Sequence, residues 1–386
     1  MEGSSTQSVK GADGRLAGAL ARIRPPRPEG EARARERAEN LAIPAGSLGR
    51  VVELAVRLAG IQGTLRPAFP RKAVAVMAGD HGVVRQGVSA FPPEVTPQMV
   101  ANFTRGQASI NALARAAGAR VVVVDAGVAA DLASVPGLRA TRDLGEALSR
   151  GWALDRKVRP GTGDISEGPA LSREEAVAAL EVGIEVVEGL CAEGLDLVAT
   201  GDMGIGNTTP SSALACVFTG KAPEEVTGRG TGIDEAALAN KRRVVARALE
   251  VNRPDPADPV GALAGVGGAE IGALAGVVLG AAAAGIPVLV DGFISTAGAL
   301  VACALAPHAR PYVIAAHRSQ EPGHRIMLEH LGLDPLLDLD LRLGEGTGAA
   351  LAMPLVDGAA AVLREVATFA EAGVSEGQDR PRGTTP

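Results

Sequence analysis

The sequence has few aromatic residues and few cysteines. Its 386 residues include only six Phe, one Trp and one Tyr, although 46 % are hydrophobic, so the core must be built mainly from Ala, Val and Leu. Three cysteines, Cys191, Cys216 and Cys303, are odd in number and far apart. They predict neither a disulfide framework nor a zinc site. We expect them to be reduced thiols in a cytoplasmic protein.

An excess of positive charge is also missing. The chain carries 38 Lys and Arg against 44 Asp and Glu, a net charge of −6. Nucleic-acid-binding proteins usually present a basic face, so no nucleic-acid partner is expected. The charged fraction of 21 % and the apolar content exclude a chain that is disordered throughout. The length allows two to three domains, or one large α/β domain with an appendage.

One uncharged stretch has the length of a membrane span. It runs over residues 271–290 but consists largely of Ala and Gly, which favour insertion only weakly. Gly285 and Pro287 also interrupt it. We therefore expect a buried helix ending near Gly285 and then a short buried strand, with no membrane partner. The polar first ten residues lack the apolar segment of a secretory signal.

Short apolar runs alternate with helix-like segments in the middle of the chain. Each run ends on a polar or Gly-rich turn, which is typical of parallel strands buried on both faces. The runs are residues 73–77, 121–124, 195–199, 287–290 and 312–316. Helices are predicted over 172–194, beginning with a Ser172/Glu175 capping pattern, and over 233–251. This alternation predicts an α/β fold with a mostly parallel sheet, whose ligands bind at the carboxyl ends of the strands.

The two ends of the chain differ in composition from the middle. Residues 1–40 are charged, rich in Ala and Arg, and broken at Pro25 and Pro26. They predict an N-terminal helical arm. Residues 41–372 form the main region, and the polar residues 373–386 predict a disordered tail.

A glycine-rich turn, GDMGIGNTT at 201–209, follows the third predicted strand and precedes an apolar helix. Glycines allow close backbone approach, and the free N–H groups of a first helical turn favour an anion. One interpretation is a phosphate site at this turn, with Thr208 and Thr209 in the first turn of the helix, and the other is a tight turn with an Asn or Thr cap. The loop is neither a Walker A motif nor a dinucleotide fingerprint. A second loop, GRGTG at 228–232, precedes Lys241, which is either near a phosphate or a solvated helix lysine.

Glu345 lies in the segment RLGEGTGA at 342–349. Adjacent leucines would desolvate it and raise its pKa, which suits a general base. The alternative is a carboxylate that stabilises a helix N-terminus. Asp80 and His81 suggest acid–base or metal chemistry. The segment 317–324, with two His and one Glu, suggests a metal set or an acid–base pair, and the alternative is a polar loop. No third ligand with a recognisable spacing is present, so no metal site is predicted.

Eight motifs, taken in order, resemble those of the nicotinate-nucleotide–dimethylbenzimidazole phosphoribosyltransferases of cobalamin lower-loop synthesis. They are GDHGV, GVSAFP, EVTPQM, GDMGIGNTT, GRGTGID, DGFIS, AHRSQEPGH and RLGEGTGA. The resemblance extends from Pro44 to Phe369. It implies a homodimer with a Rossmann-like core of helices around a mostly parallel sheet, and a smaller helical domain built partly from the N-terminal region.

The resemblance also implies a reaction and its residues. The 5-phosphoribosyl group of nicotinate mononucleotide is transferred to 5,6-dimethylbenzimidazole, with Glu345 as general base and without a cofactor. The family's donor-phosphate site corresponds here to Gly204, Gly206, Asn207, Thr208, Lys241 and Ser319. Its acceptor-base pocket corresponds to Phe91, Gln98, Met203 and Leu343.

The chain departs from the family pattern at three positions. Ile43 replaces a usual Lys, Asp202 replaces a frequent Glu, and Ala316 replaces a Ser. The alternatives are phosphoribosyl transfer to another azole or a purine, a phosphorylase-like reaction, or a nucleotide sensor without catalysis. A sensor has no need of the glycine-flanked Glu345, so this residue distinguishes the sensor from the enzymes.

Overall fold

Residues 14–375 are described by a computed structural model. In this part of the chain seven parallel strands form one sheet in the order β3-β4-β2-β1-β5-β6-β7. The strands are β1 Lys72–Gly79, β2 Ala119–Gly127, β3 Ala140–Thr141, β4 Ala153–Asp155, β5 Leu197–Met203, β6 Val288–Val290 and β7 Val313–Ala315. The Rossmann-like α/β fold predicted from the sequence is confirmed.

Helices cover both faces of the sheet. They are α1 Arg15–Arg22, α2 Pro28–Glu39, α3 Arg50–Gln62, α4 Val95–Thr104, α5 Ser109–Ala116, α6 Leu144–Arg150, α7 Arg173–Ala192, α8 Thr208–Thr219, α9 Pro223–Val226, α10 Glu235–Asn252, α11 Pro259–Val266, α12 Ala269–Ala284, α13 Phe293–Leu305, α14 Pro322–Leu331, α15 Thr347–Glu365 and α16 Phe369–Ala372. Short 3₁₀ helices span Gly82–Gln86, Leu132–Ser134 and Pro307–Tyr312.

The core has two layers, one on each face of the sheet. Alternate residues of β1 belong to opposite layers: Ala75 and Met77 pack with one, Val74 and Val76 with the other. The first layer contains the apolar faces of α7, α8, α12 and α13, and the second those of α3, α5 and α15. Because both faces of β1 are buried, its sequence is an uninterrupted apolar run.

All five predicted strands are present, as β1, β2, β5, β6 and β7. The predicted helices are also present, as α7 and α10, and Ser172 and Glu175 form the expected capping box. Strands β3 and β4 were missed. They have two and three residues and lie at one edge of the sheet, so they are too short to show a hydrophobic period.

The uncharged stretch forms the buried helix α12, which ends at the left-handed Gly285 and leads into β6. Its small residues allow close contact with α7. A Cβ atom at Gly183 would lie 1.9 Å from the carbonyl oxygen of Ala273, and one at Gly276 would lie 2.0 Å from that of Leu180. Among residues 14–375, no helix combines the length and apolar character needed to cross a membrane.

The N-terminal helices pack on the main region. Helix α1 contacts α7 and α12, while α2 lies on α3. Leu41 is fully buried and forms a β-bridge with Thr368. The division at residue 40 remains a prediction, and of the predicted tail, residues 376–386 lie outside the described part of the chain.

Candidate active site

A cleft of about 240 Å³ lies at the carboxyl end of the sheet, beyond β5, β6 and β7. This is the edge at which the sequence places its polar turns. Most of the predicted site residues line it. They are Phe91, Met203, Gly204, Gly206, Asn207, Thr208, Ser319 and Leu343. The motifs that are distant in sequence therefore converge on one cavity.

The glycine-rich turn joins β5 to α8 and forms one wall of the cleft. Gly206 has a φ of 89°, which favours glycine, and a Cβ atom at Gly204 would lie 2.2 Å from the carbonyl oxygen of Gly79. Asn207 donates a hydrogen bond to the Asp202 carboxylate at 3.0 Å. Because Asn207 and Thr208 begin α8 and also line the cleft, the helix N-terminus offers its free N–H groups to an anion there.

Lys241 lies directly behind this turn and is fully buried. Its Nζ donates to Oγ1 of Thr208 at 2.7 Å and to the carbonyl oxygen of Gly228 at 3.2 Å. The alternative of a solvated helix lysine is therefore wrong. Burial lowers the pKa of Lys241 to about 8, although the charge of Glu321 opposes the shift. The cation supplies positive potential behind the start of α8.

The segment after β7 places Ser319 in the cleft. The backbone N–H of Ser319 donates to Nδ1 of His324 at 2.9 Å, and Nε2 of His324 contacts Oγ1 of Thr296 at 2.9 Å. Burial and the neighbouring His317 lower the pKa of His324 to about 3, so its ring is neutral. His324 thus belongs to a structural network, whereas His317 lines the cleft and its Nδ1 has no hydrogen-bond partner. Within residues 14–375, no group of three or more His, Cys, Asp or Glu side chains is arranged to hold a metal ion.

Glu345 stands in a left-handed turn just before α15. Its φ angle is 64°, and its two neighbours in the chain also have positive φ angles, 84° at Gly344 and 92° at Gly346. One carboxylate oxygen, Oε2, accepts a hydrogen bond from the N–H of Ile110 at 3.3 Å. Burial raises the pKa of Glu345, as the sequence predicts. The predicted cause is incomplete, since Leu343 is 57 % exposed and much of the burial comes from the backbone of β5 and α5.

Gly201 leaves the space that this turn occupies. A Cβ atom on Gly201 would lie 2.3 Å from the carbonyl oxygen of Glu345 and 3.0 Å from the nitrogen of Gly346. Only a glycine in β5 therefore admits the turn in its observed position. The close contact fixes Glu345 relative to the sheet.

Replacing Gly201 with alanine is expected to lower the free energy of unfolding by about 1–3 kcal/mol, because the added methyl group displaces the turn. Urea denaturation measures this change. Gly358→Ala is the control, since Gly358 is exposed in α15 with no atom near its added Cβ. It is expected to stabilise the protein by about 0.5–1 kcal/mol. Equal stability of Gly201→Ala and the wild type would contradict the steric argument.

Two further carboxyl groups lie beside Glu345. Burial, reinforced by the charge of Asp291, raises the pKa of Asp202 to about 8, although the hydrogen bond from Asn207 opposes it. Burial also raises the pKa of Asp291 to about 7. Asp202 lines the cleft, and its Oδ1 has no hydrogen-bond partner. Asp291 was not among the residues predicted from the sequence, although its position directly after a predicted strand was a usable signal.

A buried ion pair supports the glycine-rich turn. His81 Nε2 lies 2.7 Å from Oε1 of Glu270, and a Cβ atom at Gly204 would lie 3.5 Å from the same ring nitrogen. Burial lowers the pKa of His81, but the contact with Glu270 and the charge of Asp80 together outweigh it, so the net shift is upward. Asp80 instead accepts from the N–H of Ala129. Glu270 was missed. The sequence does mark Glu270, because it is the one charged residue between Asp258 and Asp291 in an otherwise apolar segment.

The predicted acceptor residues have unequal positions. Phe91 and Leu343 are 52 % and 57 % exposed and line the cleft together with the partly buried Met203. Gln98 is exposed on α4 and does not line it. The loop carrying Phe91 is held where the N–H of Ala90 donates to Oγ1 of Thr231 at 3.0 Å. The cleft thus has apolar side chains in its lining as well as the N-terminus of α8.

A family model described as "Phosphoribosyltransferase" matches residues 23–374. A protein of Desulforudis audaxviator is 56 % identical over 346 residues, covering 90 % of this chain and 94 % of its own. One from Geobacter metallireducens is 54 % identical over 361 residues, covering 94 % and 98 %. Both are named nicotinate-nucleotide–dimethylbenzimidazole phosphoribosyltransferase.

A solved structure agrees with these relatives. The crystal structure of the enzyme of the same name from Thermus thermophilus is 50 % identical, with a TM-score of 0.82. The match covers 91 % of this chain and 99 % of that one. Six of the eight ordered motifs line one cleft, and the similarity extends over nearly the whole fold. The chain therefore belongs to the nicotinate-nucleotide–dimethylbenzimidazole phosphoribosyltransferase family.

Proposed function

We propose that this protein transfers the 5-phosphoribosyl group of nicotinate mononucleotide to 5,6-dimethylbenzimidazole. The products are α-ribazole 5′-phosphate, which serves the nucleotide loop of cobalamin, and nicotinate. One observation carries the proposal: a helix N-terminus that suits an anion and several apolar side chains line a single cleft, and the buried carboxyl group of raised pKa, Glu345, directly follows its lining residue Gly344.

The donor phosphate is assigned to the start of α8. The N–H groups of Gly206 and Thr208 and the hydroxyl groups of Thr208 and Ser319 are its hydrogen-bond donors, whereas the N–H of Asn207 donates to the carbonyl oxygen of Gly204 at 3.1 Å. Lys241, 2.7 Å from the Thr208 hydroxyl, supplies charge from behind. A helix N-terminus and a buried ammonium both favour a phosphate.

The acceptor is assigned to the apolar wall formed by Phe91, Met203 and Leu343. Their exposed surfaces suit a flat ring with two methyl groups. A purine requires more hydrogen-bonding partners than these side chains provide, which favours the benzimidazole. Gln98 remains a predicted acceptor residue, and it requires a movement of its side chain toward the cleft.

The reaction needs one proton acceptor. One ring nitrogen of the benzimidazole attacks C1′ of the ribose, while Glu345 takes the proton from the other nitrogen. The C1′–N bond of the pyridinium breaks, its electron pair returns to the ring, and neutral pyridine leaves as nicotinate. Attack opposite the leaving group inverts C1′ from β to α. The raised pKa of Glu345 suits this base, and holding both substrates in one cleft supplies the orientation.

The test is an acceptor panel. Purified protein is incubated with nicotinate mononucleotide and, separately, with 5,6-dimethylbenzimidazole, unsubstituted benzimidazole, imidazole and adenine, and nicotinate release is followed by chromatography. We expect the largest kcat/KM with the dimethylated ring and no release without an acceptor. Preference for adenine or imidazole would replace the acceptor assignment. Donor binding without release in any mixture would support the sensor.

We also propose that the protein is a cytoplasmic homodimer. The three cysteines are unpaired, which supports a reducing compartment. The dimer rests on the resemblance of the motifs to those of a dimeric family. Sedimentation equilibrium is expected to give twice the mass of the chain, and a mass equal to one chain would contradict the dimer.

A further inference from the structure

The turn that carries Glu345 is held in an unfavourable conformation. Three successive residues, Gly344, Glu345 and Gly346, have positive φ angles, and Glu345 is the one with a side chain. Positive φ angles are unfavourable for a residue with a side chain, because its Cβ atom then lies too close to its own backbone. Such a conformation persists only where neighbouring groups enforce it.

Asp291 supplies two contacts that enforce it. Its Oδ2 accepts a hydrogen bond from the N–H of Gly346 at 3.2 Å, and its Oδ1 accepts one from the N–H of Ala349 at 2.8 Å. These two N–H groups lie at the beginning of α15, immediately after Glu345. One carboxylate thus joins the turn to the first turn of the helix.

Asp291 is itself fixed to the sheet. It follows β6 directly, is fully buried, and donates its own N–H to Oγ1 of Thr200 in β5 at 3.2 Å. His317 Nε2 lies 3.6 Å from its Oδ1. The position of the Glu345 turn is therefore set by the neighbouring strands β5 and β6 through this carboxylate.

A simple helix cap does not require this arrangement. Ser172, for example, caps α7 with a neutral hydroxyl near the surface. Asp291 is a buried carboxyl group whose pKa is raised by burial and by the charge of Glu345, and its own charge raises the pKa of Asp202. Such an unfavourable placement is typical of functional sites.

We propose that Asp291 is a positioning residue of the reaction: its hydrogen bonds to Gly346 and Ala349 hold Glu345 at the distance from which it removes the acceptor proton. The proposal rests on the function proposed above, in which Glu345 is the base. It extends that function by a residue that touches neither substrate.

The test is Asp291→Asn. The asparagine keeps one acceptor oxygen but places an NH₂ group against a backbone N–H, so one of the two hydrogen bonds is lost with little change in volume. We expect kcat to fall about 100-fold, because small displacements of a reacting group have effects of this size. The dissociation constant for nicotinate mononucleotide, measured by calorimetry, is expected to change less than about twofold, since the donor site is on another element.

Asp125→Asn is the matched control. Asp125 is also buried and accepts a backbone hydrogen bond, from the N–H of Val128 at 2.9 Å, but it lies at the end of β2 and does not line the cleft. Its substitution is expected to lower the thermal midpoint while leaving kcat unchanged. An equal loss of kcat in both variants would assign Asp291 a purely structural role and overturn the proposal.

A double-mutant cycle separates this proposal from the proposed function. In a Glu345→Gln background, Asp291→Asn is expected to lower kcat by less than about twofold, because the group being positioned is no longer a base. If Asp291→Asn lowered kcat in the Glu345→Gln background as much as it does in the wild type, a positioning role for Asp291 would be contradicted. A normal kcat in Asp291→Asn alone would overturn the proposal and leave the base assignment intact. A normal kcat in Glu345→Gln alone would overturn the base assignment on which this proposal rests, while leaving the transfer reaction itself in place.

Thr200→Val tests the same claim if Asp291→Asn does not fold. Valine has nearly the shape of threonine but removes the hydroxyl that accepts from the N–H of Asp291. The carboxylate stays, while its anchor is weakened. We expect kcat to fall about 10-fold with an unchanged dissociation constant for the donor. A wild-type kcat would contradict the proposal.

Discussion

Replacing Glu345 with glutamine is expected to lower kcat by about 10²- to 10⁴-fold, the usual contribution of a positioned general base. Glutamine has the same shape and keeps an oxygen that accepts from the N–H of Ile110, but its amide cannot take the benzimidazole proton. The dissociation constant for nicotinate mononucleotide is expected to stay within about twofold, since Glu345 does not hold the donor in this account. Steady-state kinetics and equilibrium dialysis measure the two quantities.

Glu345→Asp is the matched variant for this prediction. It keeps the carboxylate but shortens the side chain by one methylene, so it is expected to retain more activity than glutamine. In the wild type, kcat is expected to rise with pH as the base loses its proton, at a pH above that of an ordinary glutamate because burial raises the pKa. Glu345→Gln should lack this rise. Wild-type turnover in Glu345→Gln would exclude the base role.

Replacing Lys241 with methionine is expected to raise the KM for nicotinate mononucleotide about 100-fold. Methionine fills similar space without the charge, so the phosphate loses a buried cation and Thr208 loses its hydrogen-bond donor. A 100-fold change corresponds to about 2.7 kcal/mol, within the range found when one partner of a buried charged contact is removed. At saturating donor, kcat is expected to change only a few-fold.

The pH dependence of donor binding provides a second measurement. Burial lowers the pKa of Lys241 to about 8, so the ammonium is charged below this pH and neutral above it. The kcat/KM for the donor, which reports the free enzyme, is therefore expected to fall as the pH rises through about 8. In Lys241→Met, the kcat/KM for the donor should not fall as the pH rises through about 8.

Lys221→Met is the control for charge removal. Lys221 is an exposed lysine paired with Glu225 at 3.2 Å, and it does not line the cleft. Its substitution is expected to leave the donor KM unchanged. If Lys241→Met also left the donor KM unchanged, Lys241 would not belong to the phosphate site.

The sequence predicts the main strands because both faces of the sheet are covered. Val74, Val76, Ala75 and Met77 alternate between two buried layers, so β1 reads as one apolar run. Because the strands are parallel, the turns that follow them are predicted to lie together at one edge of the sheet. The short strand β3 at the edge of the sheet and its neighbour β4 have no such run, and their pairing depends on contacts between separate segments.

The sequence does not reveal which side chains form hydrogen bonds with the site residues. Glu345 and Glu270 can each be recognised as unusual, one between glycines and the other alone in an apolar segment. Their neighbours Asp291 and His81 lie far away along the chain, and only the crossovers of the fold bring them together. Lys241 has the sequence context of an exposed lysine but is buried because α10 packs on α8.

The most direct test of the account is the stereochemistry of transfer. Nicotinate mononucleotide and 5,6-dimethylbenzimidazole are mixed with the enzyme, and the C1′ proton is followed by NMR together with released nicotinate. We expect one nicotinate for each new riboside and the α configuration at C1′, because attack occurs opposite the leaving group. A β product, or nicotinate release without a riboside, would contradict direct displacement with Glu345 as the base.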